Sequence, residues 1–371
     1  MAIIRNEISR TFEEFLLTPR LTKKEHTPDN VSLKTSLVKF GHGEKESPIT
    51  LDNPLTSAMM QSVSGEKLAV ALAKEGGMGF IYCSQPIDKQ AKMVKAVKDQ
   101  NLRVGAGINT RDYKQRIPAL VDAGTDCLCI DSSDGFSEWQ ADVLQHVRKE
   151  YDDNVKIGAG NIVSAEAFKY LVDNGADFIK VGIGGGSICI TRKQKAIGMG
   201  QASALHDVVT ARDEYQKENG IYVPICSDGG IVTDSDLIMA FAFGADTVMM
   251  GRYFARSTEA PGDLFEMDGI QHKEYWGEGS NRARLQGDKM ALARYYDVGD
   301  DNKQTFEEGV NGSVPHAGKL GGFVGKTLHK LKSTMCNCGA LTLRQFTDNA
   351  IITLISDATF REGDAHDVVT R

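Results

Sequence analysis

Cys189 closes the segment "KVGIGGGSIC" (180–189), directly after glycines at 182, 184, 185 and 186. Glycine weakens helices and strands alike. Such a run marks a place where the backbone needs φ > 0 or where a ligand or ion lies against bare peptide. A thiol just beyond such a loop, facing local N–H dipoles, is of the type that acts as a nucleophile. Two more segments carry a different chemistry: "SDGGI" (227–231) and "MGRYF" (250–254). Their glycines expose backbone N–H groups that can hold a phosphate, and Arg252 adds a charged fork for the same anion. A phosphorylated ligand follows. The glycine run alone looks like a dinucleotide fingerprint, but it lacks the downstream acidic residue such a motif needs.

A repeated phrase positions these residues. It occurs as "LVDAGTDCLCID" (120–131), "LVDNGADFIKVG" (171–182) and "AFAFGADTVMMG" (240–251), with a looser copy in "ALAKEGGMGFIY" (71–82). Each reads as a helix end, a glycine stop and an apolar strand covered on both faces. Eight strands are predicted near 55–60, 79–83, 103–107, 127–131, 155–160, 178–183, 222–227 and 246–251. Helical patterns such as "EWQADVLQHVRKEY" and "SAEAFKYLVDNG" lie between them. This alternation predicts an α/β fold, a closed (β/α)8 TIM barrel. On pattern alone, a doubly wound open sheet is the alternative. Asp131, Asn161 and the loops at 182–186, 227–230 and 251–252 all fall at the carboxyl ends of strands, the active rim of such barrels. Residues 1–50 read as an N-terminal arm with a hairpin-like portion. The polar stretch 253–330 lies outside the barrel count, and a long insertion beside the rim is a lid or binding element.

Composition sets outer limits. The 371 residues, 41% hydrophobic and 25% charged, supply ample core for one soluble barrel domain. A net charge of −7 argues against a general nucleic-acid binder. No apolar run approaches the roughly 18 residues of a membrane span, and the N-terminus lacks a signal-peptide pattern. Seven scattered cysteines, an odd number, form no disulfide framework and point to the reducing cytoplasm. Cys127, Cys129 and Cys226 read as small hydrophobes on strands. Cys336 and Cys338 read as packing residues, because no second cysteine or histidine pair accompanies them.

Taken together, "GIGGGSICITR", "CIDSSDGFS", "VGAGNIVSAEAF", "CSDGGI", "LTSAMMQSVSG" and "EYWGEGS" resemble the inosine-5′-monophosphate (IMP) dehydrogenase family. The resemblance covers nearly the whole chain. It implies oxidation of IMP to XMP with NAD+ on the route to guanine nucleotides. Cys189 would attack C2 of the purine, and the resulting thioimidate would then be hydrolysed. The phosphate and ribose would meet Ser57, Ser187, Asp228, Gly229, Gly230, Gly251, Arg252 and Tyr275, with the base near Met59, Gly277, Glu278, Gly279 and Glu308. The dinucleotide would lie by Asp131, Ser132, Ser133, Gly182, Ile183 and Gly184.

The same resemblance implies a monovalent cation, K+, on Gly184, Gly186 and Cys189. Glu362, Gly363 and Asp364 of a neighbouring subunit would complete that site, hence a homotetramer. Arg294 and Tyr295, on a mobile catalytic flap within about 253–310, match the residues that activate water, and Thr191 with Glu308 matches a second relay. The chain departs from the family's commonest pattern at three of these places. Asp364 stands for a glycine, Glu308 for a glutamine common at that position, and Glu278 for a methionine. It also runs straight through 88–102, where most members insert a pair of CBS modules. GMP reductase, an NADPH-dependent deaminase, shares the barrel and cysteine loop. It typically carries "GPGS" where this chain has "GGGS", and it lacks the Arg-Tyr pair.

Overall fold

The structure is a computed structural model that describes residues 2–41, 44, 46–287, 306–365 and 368. An N-terminal arm carries β1 (Phe15–Leu17) and a hairpin of β2 (Thr35–Ser36) and β3 (Thr50–Leu51). The barrel strands follow: β4 (Leu55–Ser57), β5 (Met78–Ile81), β6 (Gly105–Ile108), β7 (Cys127–Ile130), β8 (Ile157–Ile162), β9 (Phe178–Val181), β10 (Ile225–Asp228) and β11 (Thr247–Met250). Each pairs in parallel with the next, and β11 closes on β4. The closed ring rules out the open-sheet alternative. The seventh predicted strand begins three residues late, because Pro224 has no N–H for the ladder and Tyr222 instead bridges Phe40 of the arm.

Helices follow the strands: α1 (Glu66–Lys74), α2 (Ile87–Lys98), α3 (Tyr113–Asp122), α4 (Glu138–Tyr151), α5 (Ala165–Asp173), α6 (Thr191–Lys195), α7 (Gln201–Asn219), α8 (Asp234–Ala242) and α9 (Arg252–Ala255), of which the short α6 and α9 sit at the rim. Local chemistry sets their ends. Ser164 caps α5 by accepting from Ala167 N, and Gly220 ends α7 at φ +70°. β5 passes to β6 through α2 alone.

Two buried layers result. One lies between strands and helices. The other fills the barrel itself with Phe80, Phe178, Cys127, Cys129, Cys226 and Met249, and is closed from below by Leu37, Val38, Ile49 and Leu51 of the hairpin. Phe80 and Phe178 sit 6.1 Å apart in the barrel. They fit because their strand neighbours are Gly105 and Gly158, where a Cβ would lie 2.3 and 2.1 Å from those rings.

The polar insertion contains more order than a loop. β12 (Leu264–Met267), β13 (Ile270–Trp276) and β14 (Asn311–Pro315) form an antiparallel sheet, with α10 (Asn281–Gln286) between the last two strands. Asp268 and Gly269, both at positive φ, make the tight β12–β13 turn. This Asp-Gly signal was present in the sequence. Beyond it come α11 (Leu320–Asn337), α12 (Leu343–Asn349), β15 (Ile352–Leu354) and α13 (Asp357–Glu362); β15 pairs antiparallel with β1. Cys336 and Cys338 are buried in the outer core. Among the described residues, no helix is long and apolar enough to cross a membrane.

Candidate active site

The carboxyl ends of the strands open into a cavity of about 210 Å3. Met59, Asp131, Ser132, Ser133, Gly186, Ser187, Cys189, Thr191, Asp228, Gly229, Gly230, Gly251, Arg252, Tyr275, Gly277, Glu278, Gly279 and Glu308 line it, drawn from seven separate stretches of sequence. An adjoining cavity of about 160 Å3 shares Ser132, Ser133 and Asp228 and adds Gly182, Ile183 and Gly184. Ser57 lines neither; it is fully buried behind the wall with its hydroxyl 2.6 Å from Ser64 Oγ. Glu362, Gly363 and Asp364 are exposed at the end of α13 and line neither cavity. Arg294 and Tyr295 lie outside the described residues.

Cys189 is half-buried, just ahead of α6, with its N–H on Gly186 O at 3.1 Å. Its Sγ is 3.2 Å from Thr191 Oγ1, which donates to Glu308 Oε2 at 2.8 Å. With that proton committed, Thr191 is left to accept from the thiol, so the chain runs from sulfur to carboxylate. Glu308 is 4% exposed, and its other oxygen takes Lys195 Nζ at 3.4 Å. Backbone pairing fixes this register: Ile190 N donates to Glu308 O at 2.9 Å, and Glu308 N to Gly279 O at 3.1 Å. Residues about 120 positions apart are thereby held beside one thiol.

Asp228, at the tip of β10, is held from below. Its Oδ2 accepts from Asn161 Nδ2 at 3.0 Å and from Lys180 Nζ at 3.2 Å. Lys180 points into the barrel and is only 2% exposed. Burial disfavours its charge, but the Asp228 carboxylate outweighs that, and the amine's pKa ends above its usual value. Among the described residues no donor pairs with Asp228 Oδ1, which suits a ligand hydroxyl.

On the opposite wall, Gly251 begins α9 beside Arg252. A side chain at Gly251 would collide with Tyr275, its Cβ 2.7 Å from the phenol oxygen. Burial pushes the Tyr275 hydroxyl up to about 12, so it stays a donor. Arg252, Tyr275, Ser187 and the Gly229 N–H thus converge on one corner, a donor set for a dianion, while the Gly230 N–H is held by Gly185 O at 2.9 Å.

Glu278 is buried between two donors, Gln61 N on Oε1 and Ser84 Oγ on Oε2 at 2.7 Å. Burial nonetheless raises its pKa to about 7. In the adjoining cavity Asn161 Nδ2 donates to Gly182 O at 2.7 Å, while its buried Oδ1 has no partner among the described residues. Gly182, at φ +138°, brings the backbone so close that a Cβ would sit 2.1 Å from Asp228 O. A flat amide fits beside such an oriented, unsatisfied carboxamide.

Four supporting residues were not among the sequence candidates. Lys180 left a signal, a lone charge inside the apolar run "DFIKVG". Ser84, Gln61 and Lys195 left none, because each matters only through the partner that folding brings to it.

Comparisons with known proteins agree in direction. A family profile described as "IMP dehydrogenase / GMP reductase domain" matches residues 9–366. The chain is 43% identical to a protein of Tritrichomonas foetus named inosine-5′-monophosphate dehydrogenase, over all of this chain and 98% of that one. That alignment spans 502 positions, so the relative carries inserted sequence that these 371 residues lack. Proteins of the same name from Borreliella burgdorferi (32% identical) and Cryptosporidium parvum (30%) cover 96% of the chain and 96% and 95% of their own lengths.

Proposed function

The chain belongs to the IMP dehydrogenase / GMP reductase family, and from that premise we propose that it oxidises IMP to XMP with NAD+ through a covalent bond to Cys189. The observation that carries the reading is the proton chain Cys189–Thr191–Glu308 at the mouth of a cavity whose far corner is built for a phosphate. Arg252, Tyr275 and Ser187 hold the phosphate, and Asp228 holds the ribose hydroxyls. The base then lies against Met59 and Glu278 with C2 near Sγ. Sulfur forms a bond to C2 as its proton passes to Thr191 and the Thr191 proton to Glu308. NAD+, when bound, supplies the acceptor for the hydrogen that leaves C2 with its electron pair. Asn161, Gly182 and Ser132–Ser133 fit its amide end.

As water replaces sulfur at C2, the proton held on Glu308 returns through Thr191 to the departing sulfur, and the proton lost by water leaves by Arg294 and Tyr295 or by the relay thus emptied. Covalent catalysis here divides one hard step into two easier ones. Gly184, Gly186 and Cys189 offer half of a K+ site. Glu362–Asp364 of a second subunit would supply the rest, which makes the working form a homotetramer. Seven free cysteines suit a cytoplasmic enzyme.

Mixing protein, IMP and NAD+ should produce NADH, and stopped reactions should contain nucleotide attached at residue 189. Silence there, with NADPH consumed on GMP, would replace this reading by the reductase. Arg294→Ala should keep the first burst of NADH and slow later turnover; loss of the burst would remove Arg294 from the hydrolytic step.

A further inference from the structure

A second cleft, about 360 Å3, lies behind the phosphate corner between α8, α9 and α11. It shares Ile231, Met250, Arg252 and Tyr253 with the nucleotide cavity, so one wall separates the two. Its charge is lopsided. Arg252, Arg256, Lys326 and Lys330 face one carboxylate, Asp234, in a chain whose net charge is −7.

Asp234 is already engaged. Lys330 Nζ lies 2.5 Å from Oδ2, and Thr327 Oγ1 donates to Oδ1 at 2.8 Å while accepting from Tyr253 OH at 2.8 Å. Among the described residues, no carboxylate lies within ion-pair distance of Arg252, Arg256 or Lys326. Arg256 is also oriented in advance. Its guanidinium lies 5.0 Å from the Phe323 ring centroid and 5.6 Å from that of Tyr253, and its buried Nε has no acceptor among the described residues. A planar guanidinium stacked and partly desolvated without an anion is costly unless an acceptor arrives, and its rigid fork suits phosphate oxygens.

We propose that this cleft is a second anion site that takes a diphosphate group. Three cations without a carboxylate partner among the described residues, spread along one cleft, match two linked phosphates better than one. Arg256 lies against both aromatic rings of the cleft, and the charge around it makes phosphate the group recognised. Arg252 stands in both walls, and an anion on one side draws on the charge that serves the other. Occupancy should therefore weaken nucleotide binding without abolishing it. That coupling rests on the function proposed above; the anion site itself does not.

The test is calorimetric titration of inorganic pyrophosphate into the full chain, alone and with saturating IMP. One pyrophosphate should bind with IMP present, with IMP affinity lowered a few-fold. Lys326→Glu or Arg256→Gln, both outside the nucleotide cavity, should weaken pyrophosphate by about tenfold or more. Two results overturn the proposal: no pyrophosphate bound once IMP is saturating, or binding that neither substitution changes. If IMP itself fails to bind, the reading of the main cavity falls, while the response of pyrophosphate to Lys326→Glu still decides the cleft.

Discussion

The barrel holds cysteines at two levels, and they differ in every respect except chemistry. Cys127, Cys129 and Cys226 sit on strands in the sealed interior with Phe80 and Phe178, and burial pushes Cys129 and Cys226 up to about 12. Those thiols stay protonated and serve as small hydrophobes. Cys189 stands one level higher, past the end of β9, half-buried, with a hydroxyl 3.2 Å away and a carboxylate behind it. The floor of the barrel is built to exclude water and proton traffic. The rim is built to admit them. One level of the barrel separates a packing group from the proposed nucleophile.

The largest expected effect breaks this contrast directly. Cys189→Ala should lower turnover by about 10^4-fold or more, as loss of a covalent nucleophile does, with little change in melting temperature. Cys226→Ala should do the reverse, lowering the melting temperature while retaining NADH formation. Comparable activity loss from both would mean that the two levels are not functionally distinct.

Lys180 joins the levels, since its stem rises from β9 inside the barrel to hold Asp228 at the rim. Lys180→Met keeps the length and removes the charge, leaving Asp228 without its main counter-ion. Because Asp228 is partly exposed and keeps Asn161, the loss should fall below the about 3–5 kcal/mol of a fully buried pair, to be read by chemical denaturation. The apparent KM for IMP should rise more than kcat falls, because the role proposed for Asp228 is to bind and not to react. An unchanged KM would confine Lys180 to structure.

These two levels were unequally visible in the sequence. The repeated helix–glycine–strand phrase gave the barrel, because periodic apolar runs report burial on both faces directly. The rim loops were legible too, since glycine, aspartate and arginine after a strand have few other reasons to cluster. Interior fit was not legible. That Gly105 and Gly158 exist to admit Phe80 and Phe178 depends on which strands become neighbours around a closed ring. The same holds for Ser84 and Gln61 on Glu278, three residues from distant stretches with no shared pattern. The ordered sheet of β12–β14 was read only as a polar insertion, because its outer strand is exposed along its whole length and so lacks the alternating burial that marks a strand.

Glu278 gives the finest test of the contrast, because it is a titratable group at the rim held under floor-like burial. Its folded pKa is about 7 against an ordinary 4.5, so the sign is that of a raised acid. Below about pH 4.5 the group is neutral both folded and unfolded, and it costs nothing. Between 4.5 and 7 the unfolded chain releases the proton while the folded one keeps it, so stability falls with rising pH and levels off above 7. The full loss is about 3 kcal/mol.

Glu278→Gln keeps acceptance from Gln61 N and can donate to Ser84 Oγ, but it does not titrate. Its stability relative to the parent should climb from pH 5 to pH 7 and then hold constant, as measured by denaturation at each pH. With Glu278 against the base as proposed, the KM for IMP should likewise lose any pH dependence between 6 and 8, since a neutral carboxyl can donate and an ionised one only accepts. A stability difference between the two proteins that is the same at pH 5 and pH 8 would show that water reaches Glu278 as freely as it reaches the rest of the rim.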